Sequence, residues 1–106
     1  MSVVTGRPSA DTEPTIYNVT LVLADTEYFQ VLPEGVHGFS MQPRKNGTDE
    51  VDVFFAFETL QVPPAVGDYA TMKMGAPYTK ENLHTQLTIY LSCATGGTIV
   101  EIVCWV

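Results

Sequence analysis

The sequence predicts an all-β fold, a small β-sandwich or jelly roll of seven to eight antiparallel strands behind a flexible N-terminal arm. Three observations carry that prediction. Apolar residues recur with a period of two, the spacing that places alternate side chains on one face of a strand. The runs that show it are rich in Val, Ile, Thr, Phe and Tyr, which fit a pleated, half-buried surface. Clusters of Gly, Pro, Asn and Asp separate them, and no segment keeps a helical period.

Residues 1–15, MSVVTGRPSADTEPT, come first. Gly6, Pro8, Pro14, several Ser and Thr, and only Val3 and Val4 as apolar anchors make this a flexible arm, with the folded domain spanning 16–106. IYNVTLVLA (16–24) then places Tyr17, Val19, Leu21 and Leu23 on one face. In LPEG (32–35), Pro33 brings a fixed φ and Gly35 tolerates a positive one, so a turn is expected. RKNGTDE (44–50) contains Asn46-Gly47, a hairpin signal. VDVFFAFE (51–58) groups Val51, Val53, Phe55 and Phe57. VPPAVGD (62–68) cannot lie inside a sheet, because consecutive prolines donate no ladder hydrogen bonds. YATMKM (69–74), LTIYLSCA (87–94) and TIVEIVCWV (98–106) complete the series, and TKENL (79–83) has room for one helical turn at most.

If Gly96-Gly97 is a two-residue hairpin loop, Leu87 faces Val106, Ile89 faces Cys104, Leu91 faces Ile102, and Cys93 faces Val100. Every pair on that face is apolar. Cys93 and Cys104 then sit four positions out of register, roughly 13 Å apart at the usual strand rise. A disulfide spans at most about 7 Å between Cα atoms, so both are expected to be reduced core thiols. The other face of this hairpin would carry Tyr90 and Trp105 together, making them candidate partner-binding residues alongside Val3 and Val4.

The 106 residues suit one domain. Twelve acids against five bases give a net charge of −7. That field repels phosphate backbones and anionic lipid surfaces, so neither nucleic acid nor membrane is an expected partner. No stretch approaches the ~20 apolar residues of a membrane span. The N-terminus lacks the pattern of a secretory signal, so synthesis in a cytoplasm is the expectation.

Catalytic chemistry finds little footing. His37 follows the Pro-Glu-Gly corner, and His84 lies in ENLHTQ. A thiol nucleophile needs an imidazole in hydrogen-bond contact, and nothing in the spacing brings either histidine to Cys93 or Cys104. The short-spaced ligand pairs of zinc motifs are missing. Asp49, Glu50 and Asp52, or Asp25 and Glu27, read as solvent-facing acids rather than calcium ligands. No catalytic residue, metal site or cofactor is therefore expected.

TLVLADTEYFQVLPEGVHGFSMQPR, followed by VFFAF and a terminal VEIVCWV, resembles a class of short all-β virion proteins encoded by tailed bacteriophages. Leu23, Thr26, Tyr28, Leu32, Pro33 and Gly35 fill its opening pattern, and Gly38, Phe39, Gln42 and Arg44 its second strand. The resemblance covers residues 20–106; Pro43 and VPPAVG depart from the pattern. It implies a non-enzymatic structural role, best matched by a capsid decoration or cement protein that binds the major capsid protein on the outer surface of the head. It also implies a homo-oligomer, a trimer among such proteins. A tail, fibre or host-recognition module of the same kind of phage, or a carbohydrate-binding sandwich stacking sugars on Tyr90 and Trp105, is the alternative.

Overall fold

The computed structural model of the chain describes residues 13–44 and 51–106. Its eight strands are β1 (Thr15–Leu21), β2 (Tyr28–Val31), β3 (Gly38–Arg44), β4 (Asp52–Ala56), β5 (Ala70–Lys73), β6 (Tyr78–Lys80), β7 (Thr88–Cys93) and β8 (Thr98–Trp105). They form two four-stranded sheets, β1-β8-β3-β6 and β2-β7-β4-β5. All pairings are antiparallel.

The order has a simple logic. β1 pairs with β8, β2 with β7, β3 with β6 and β4 with β5, as though one long hairpin were folded at its middle and then rolled up. The roll adds the contacts of β3 with β8 and of β4 with β7. Nested pairing split over two sheets is the jelly-roll arrangement.

The core lies between the sheets. Leu21, Phe39, Met41, Val100, Ile102 and Cys104 enter it from the first sheet, and Val53, Phe55, Met72, Ile89, Leu91 and Cys93 from the second. Each set follows the two-residue period, so the pattern that marks the strands also fills the core. Phe55 and Tyr78, with ring centroids 4.8 Å apart, join Phe39 and Phe57 in an aromatic cluster.

Pro43 is buried within β3 and stands opposite Val100. A proline is tolerated there because β6 pairs only with Phe39–Met41. Past Met41 no described strand pairs with that side of β3, so a missing amide there costs no ladder bond. VPPAVGD falls in the β4–β5 connection, outside both sheets.

Several expectations change. The Gly96-Gly97 hairpin does not exist, since β7 and β8 lie in different sheets. The corner between them packs against the chain leaving β1. Gly97, at φ 86, donates its amide to Leu21 O at 2.7 Å. A Cβ on Gly96 would lie 2.8 Å from Val22 O, so the close approach admits only glycine. Both glycines thus serve a corner between sheets, and the apolar register inferred from them is core packing from two sides.

Cys93 and Cys104 consequently belong to opposite sheets; both are buried and free. Asn46-Gly47 lies outside the described residues, but β3 and β4 on either side of it occupy different sheets, so they form no hairpin. TKENL (79–83), which had room for a helical turn, forms none: Thr79 and Lys80 end strand β6, and residues 81–83 are irregular. β1 begins at Thr15, one residue before the expected domain start. Its alternation holds to Leu21; Leu23 is 60% exposed, because the chain has left the strand and bends at Asp25, whose φ is 52.

Candidate binding face

The two outer faces of the sandwich differ in chemistry. On the first sheet, Arg44 Nε donates to Glu101 Oε2 at 2.8 Å and Arg44 Nη2 to Asn18 Oδ1 at 3.1 Å. Gln42 Nε2 donates to Glu101 Oε1 at 3.1 Å. These bonds cross β3, β8 and β1, so the polar groups satisfy one another. The hydrogen bonds from Gln42 and Arg44 hold the Glu101 carboxyl below its ordinary range.

The second sheet presents aromatic and aliphatic surface. Phe29 stands opposite Tyr90, and Tyr90 opposite Ala56, in one row across β2, β7 and β4. The rings of Phe29 and Tyr90 are tilted with centroids 6.0 Å apart. Phe29 is 62% exposed, and Val31 beside it is exposed as well. Tyr69 meets Phe54 edge-on at 5.3 Å. Charged residues are depleted and aromatics enriched at the centre of protein contacts, and this row has that composition.

The β4–β5 connection folds back over the same face. Glu27, just before β2, receives the Leu60 amide on Oε1 at 2.8 Å and the Thr59 hydroxyl on Oε2 at 2.9 Å. By the β2–β7 register Glu27 stands beside Ser92. Ser92 is fully buried although its position points outward, and among the described residues its hydroxyl has no hydrogen-bond partner. Val62 of the same connection is buried apart from the main core. Asp25, Thr26, Glu27, Leu60, Val62, Pro64 and Ala65 line a cleft of about 510 Å³ between this loop and the start of β2. Leu60 is held at φ 61, a strained region for a branched side chain, and is 70% exposed.

His37 and His84 converge as sequence spacing did not reveal. Both line a cavity of about 240 Å³ at one end of the sandwich, with Gly35, Val36, Thr85 and Gln86. Leu83 N donates to His37 O at 2.7 Å, and Gln86 Nε2 to Leu32 O at 2.8 Å, tying the two loops together. Among the described residues no group of three His, Cys, Asp or Glu side chains could hold a metal ion. The thiols keep to structural company: Cys93 Sγ lies 3.4 Å from Asp52 O, and Cys104 Sγ 3.6 Å from Thr15 O. Burial raises the Cys104 pKa, which disfavours its thiolate.

The four expected binding residues scatter. Val3 and Val4 lie outside the described residues. Tyr90 belongs to β7 and Trp105 to β8, so they sit on opposite outer faces and share no stacking platform. Trp105 covers Gly38, where an added Cβ would come within 2.7 Å of the indole ring. Phe29, Phe54 and Tyr69, which keep Tyr90 company, escaped the sequence reading. For Phe29 and Phe54 the signal was an aromatic at the outward position of a strand, with the inward positions already apolar in β4; Tyr69 immediately precedes β5.

No protein-family model, curated protein or solved structure matches the chain.

Proposed function

We propose that this chain is a non-enzymatic structural protein of a tailed-bacteriophage virion. In this reading it is a capsid decoration protein that attaches to the major capsid protein through the outer face of the β2-β7-β4-β5 sheet. The observation that carries the proposal is a difference between the faces: the Arg44–Glu101–Asn18 network crosses the outside of one sheet, and the other exposes the Phe29–Tyr90–Ala56 row, which holds no charged side chain although the Asp52–Lys73 ion pair lies on the same face. Jelly rolls recur in viral capsids, which supports the assignment by analogy of fold alone. The acidic charge suits a partner that is protein rather than nucleic acid.

The test is co-sedimentation of the full-length protein with capsids that lack decoration. Phe29→Ala removes an exposed ring and leaves the core untouched. Binding is expected to fall about tenfold or more, since each ~1.4 kcal/mol is one decade and aromatic anchors often exceed that. Trp105→Ala, on the opposite face, should leave attachment unchanged. Loss of binding in Trp105→Ala but not in Phe29→Ala would sink the choice of face. Absence of binding to any capsid, with retention on a glycan array, would sink the decoration role itself.

A further inference from the structure

We propose that β1 is a self-association edge: Thr15–Leu21 pairs antiparallel with the same segment of a second copy, about a two-fold axis through Asn18. The two β1-β8-β3-β6 sheets then become one continuous sheet. Among the described strands β1 is outermost in its sheet, with β8 as its hydrogen-bonded neighbour. Among the described residues no strand pairs with its other side.

Proteins guard such edges by making them short, charged or proline-bearing. The other outer strands obey: β2 and β5 have four residues and β6 has three, and β5 and β6 carry Lys73 and Lys80. β1 has seven residues, TIYNVTL, with neither a charge nor a proline. It offers roughly 23 Å of open edge at about 3.3 Å per residue.

The segment also complements itself. Centred on Asn18, the pairing sets Ile16 opposite Thr20, Tyr17 opposite Val19, and Thr15 opposite Leu21 of the second copy. Residues facing the core stay opposite core-facing residues, whereas a slip of one position would set inward against outward side chains. Tyr17 and Val19, half-buried at the rim of the core, meet across the axis and extend it. Ile16 and Val22, 64% and 61% exposed, lose part of their contact with water.

Charge selects the occupant. Two copies at −7 each repel over most of their surfaces, and an uncharged strand is the strip along which like-charged molecules can meet. The symmetry is isologous, so the product is a closed dimer rather than the trimer implied by the phage resemblance. The pairing does not involve the Phe29–Tyr90 row and stands independently of what that row binds.

The experiment uses the full chain. Light scattering after size exclusion should give a mass twice the 11.6 kDa of the monomer, falling toward the monomer on dilution. Directly opposed residues have Cβ atoms about 4.5–5.5 Å apart, close to disulfide reach. Under mild oxidation Asn18→Cys should therefore cross-link to a covalent dimer. Ile16→Cys alone should not, but mixed with Thr20→Cys it should. The native thiols are buried and stay silent. The double variant Ile16→Lys/Thr20→Lys should be monomeric with unchanged strand content by circular dichroism. A monomer at every concentration, a trimer, or a dimer that fails the Asn18 and Ile16/Thr20 cross-links overturns the proposal, and a foreign strand or residues 1–12 on the edge would produce the first of these.

Discussion

Ser92 is the residue at which local chemistry and burial disagree. Its hydroxyl is buried with no partner among the described residues, and an unpaired buried polar group is destabilising by about 1–3 kcal/mol. Ser92→Ala is therefore expected to raise the melting temperature, worth roughly 1 kcal/mol in chemical denaturation. A lower midpoint would mean that the hydroxyl has a partner after all. Glu101 behaves in the opposite way. Its pKa is lowered, first by the hydrogen bond from Gln42 and then by that from Arg44. A carboxyl depressed in the folded state stabilises above its unfolded pKa, and the benefit disappears as pH falls through the folded value. The contribution is full at neutral pH and is lost in acid, below the ordinary 4.5. Glu101→Gln should lower the melting temperature at neutral pH and leave it near the wild-type value in acid, so that the acid limb of melting temperature against pH flattens. An unaltered acid limb would show that the network does not carry the linkage.

Among the elements, the β4–β5 connection rests on one side chain. Glu27 holds both the Thr59 hydroxyl and the Leu60 amide, and so keeps Leu60 in its left-handed conformation. Hydrogen bonds to a charged acceptor contribute about 1.5–3 kcal/mol where water is excluded, and less at this exposed site. Glu27→Ala should leave strand content intact but increase amide hydrogen exchange across residues 58–66, with a global stability loss of about 1 kcal/mol. Unchanged exchange there would show that the loop is held by Val62 packing rather than by the carboxylate. β3 shows the complementary lesson. Its Pro43 looks like a strand breaker in the sequence, yet the short reach of β6 leaves an edge where a missing amide costs no ladder bond.

At the scale of the molecule, the nested pairing makes nearly every sheet contact non-local. β1 cannot find β8 until the intervening chain has been rolled into place. Chains dominated by such contacts fold in about milliseconds to seconds, against microseconds for helical bundles of similar size. Stopped-flow refolding followed by Trp105 fluorescence should accordingly show a main phase in that slow range. A microsecond main phase would contradict the topology. Because the core is shared by both sheets, one cooperative melting transition is expected for the monomeric unit.

The all-β class, most strand positions and most core-facing residues were legible in the sequence, because a two-residue apolar period is a local property of the chain; β6, at three residues, is too short to show a period, and Leu23 lies past the end of its strand. The Pro33–Gly35 turn was legible for the same reason, and Gly35 does adopt φ 77. Which strands pair was not legible. Gly96-Gly97 reads identically as a hairpin turn and as a corner between sheets, since both need positive φ or close approach. Only the packing of the corner against Val22 and Leu21 separates the two. That choice sent β7 and β8 into different sheets, moved Tyr90 and Trp105 to opposite sides, and set Phe29 beside Tyr90 instead. That His37 and His84 line one cavity likewise depends on two loops tied at one end of the roll. Period and turn chemistry act over a few residues, whereas sheet partnership is settled by how the whole core closes, and the binding face follows from that closure.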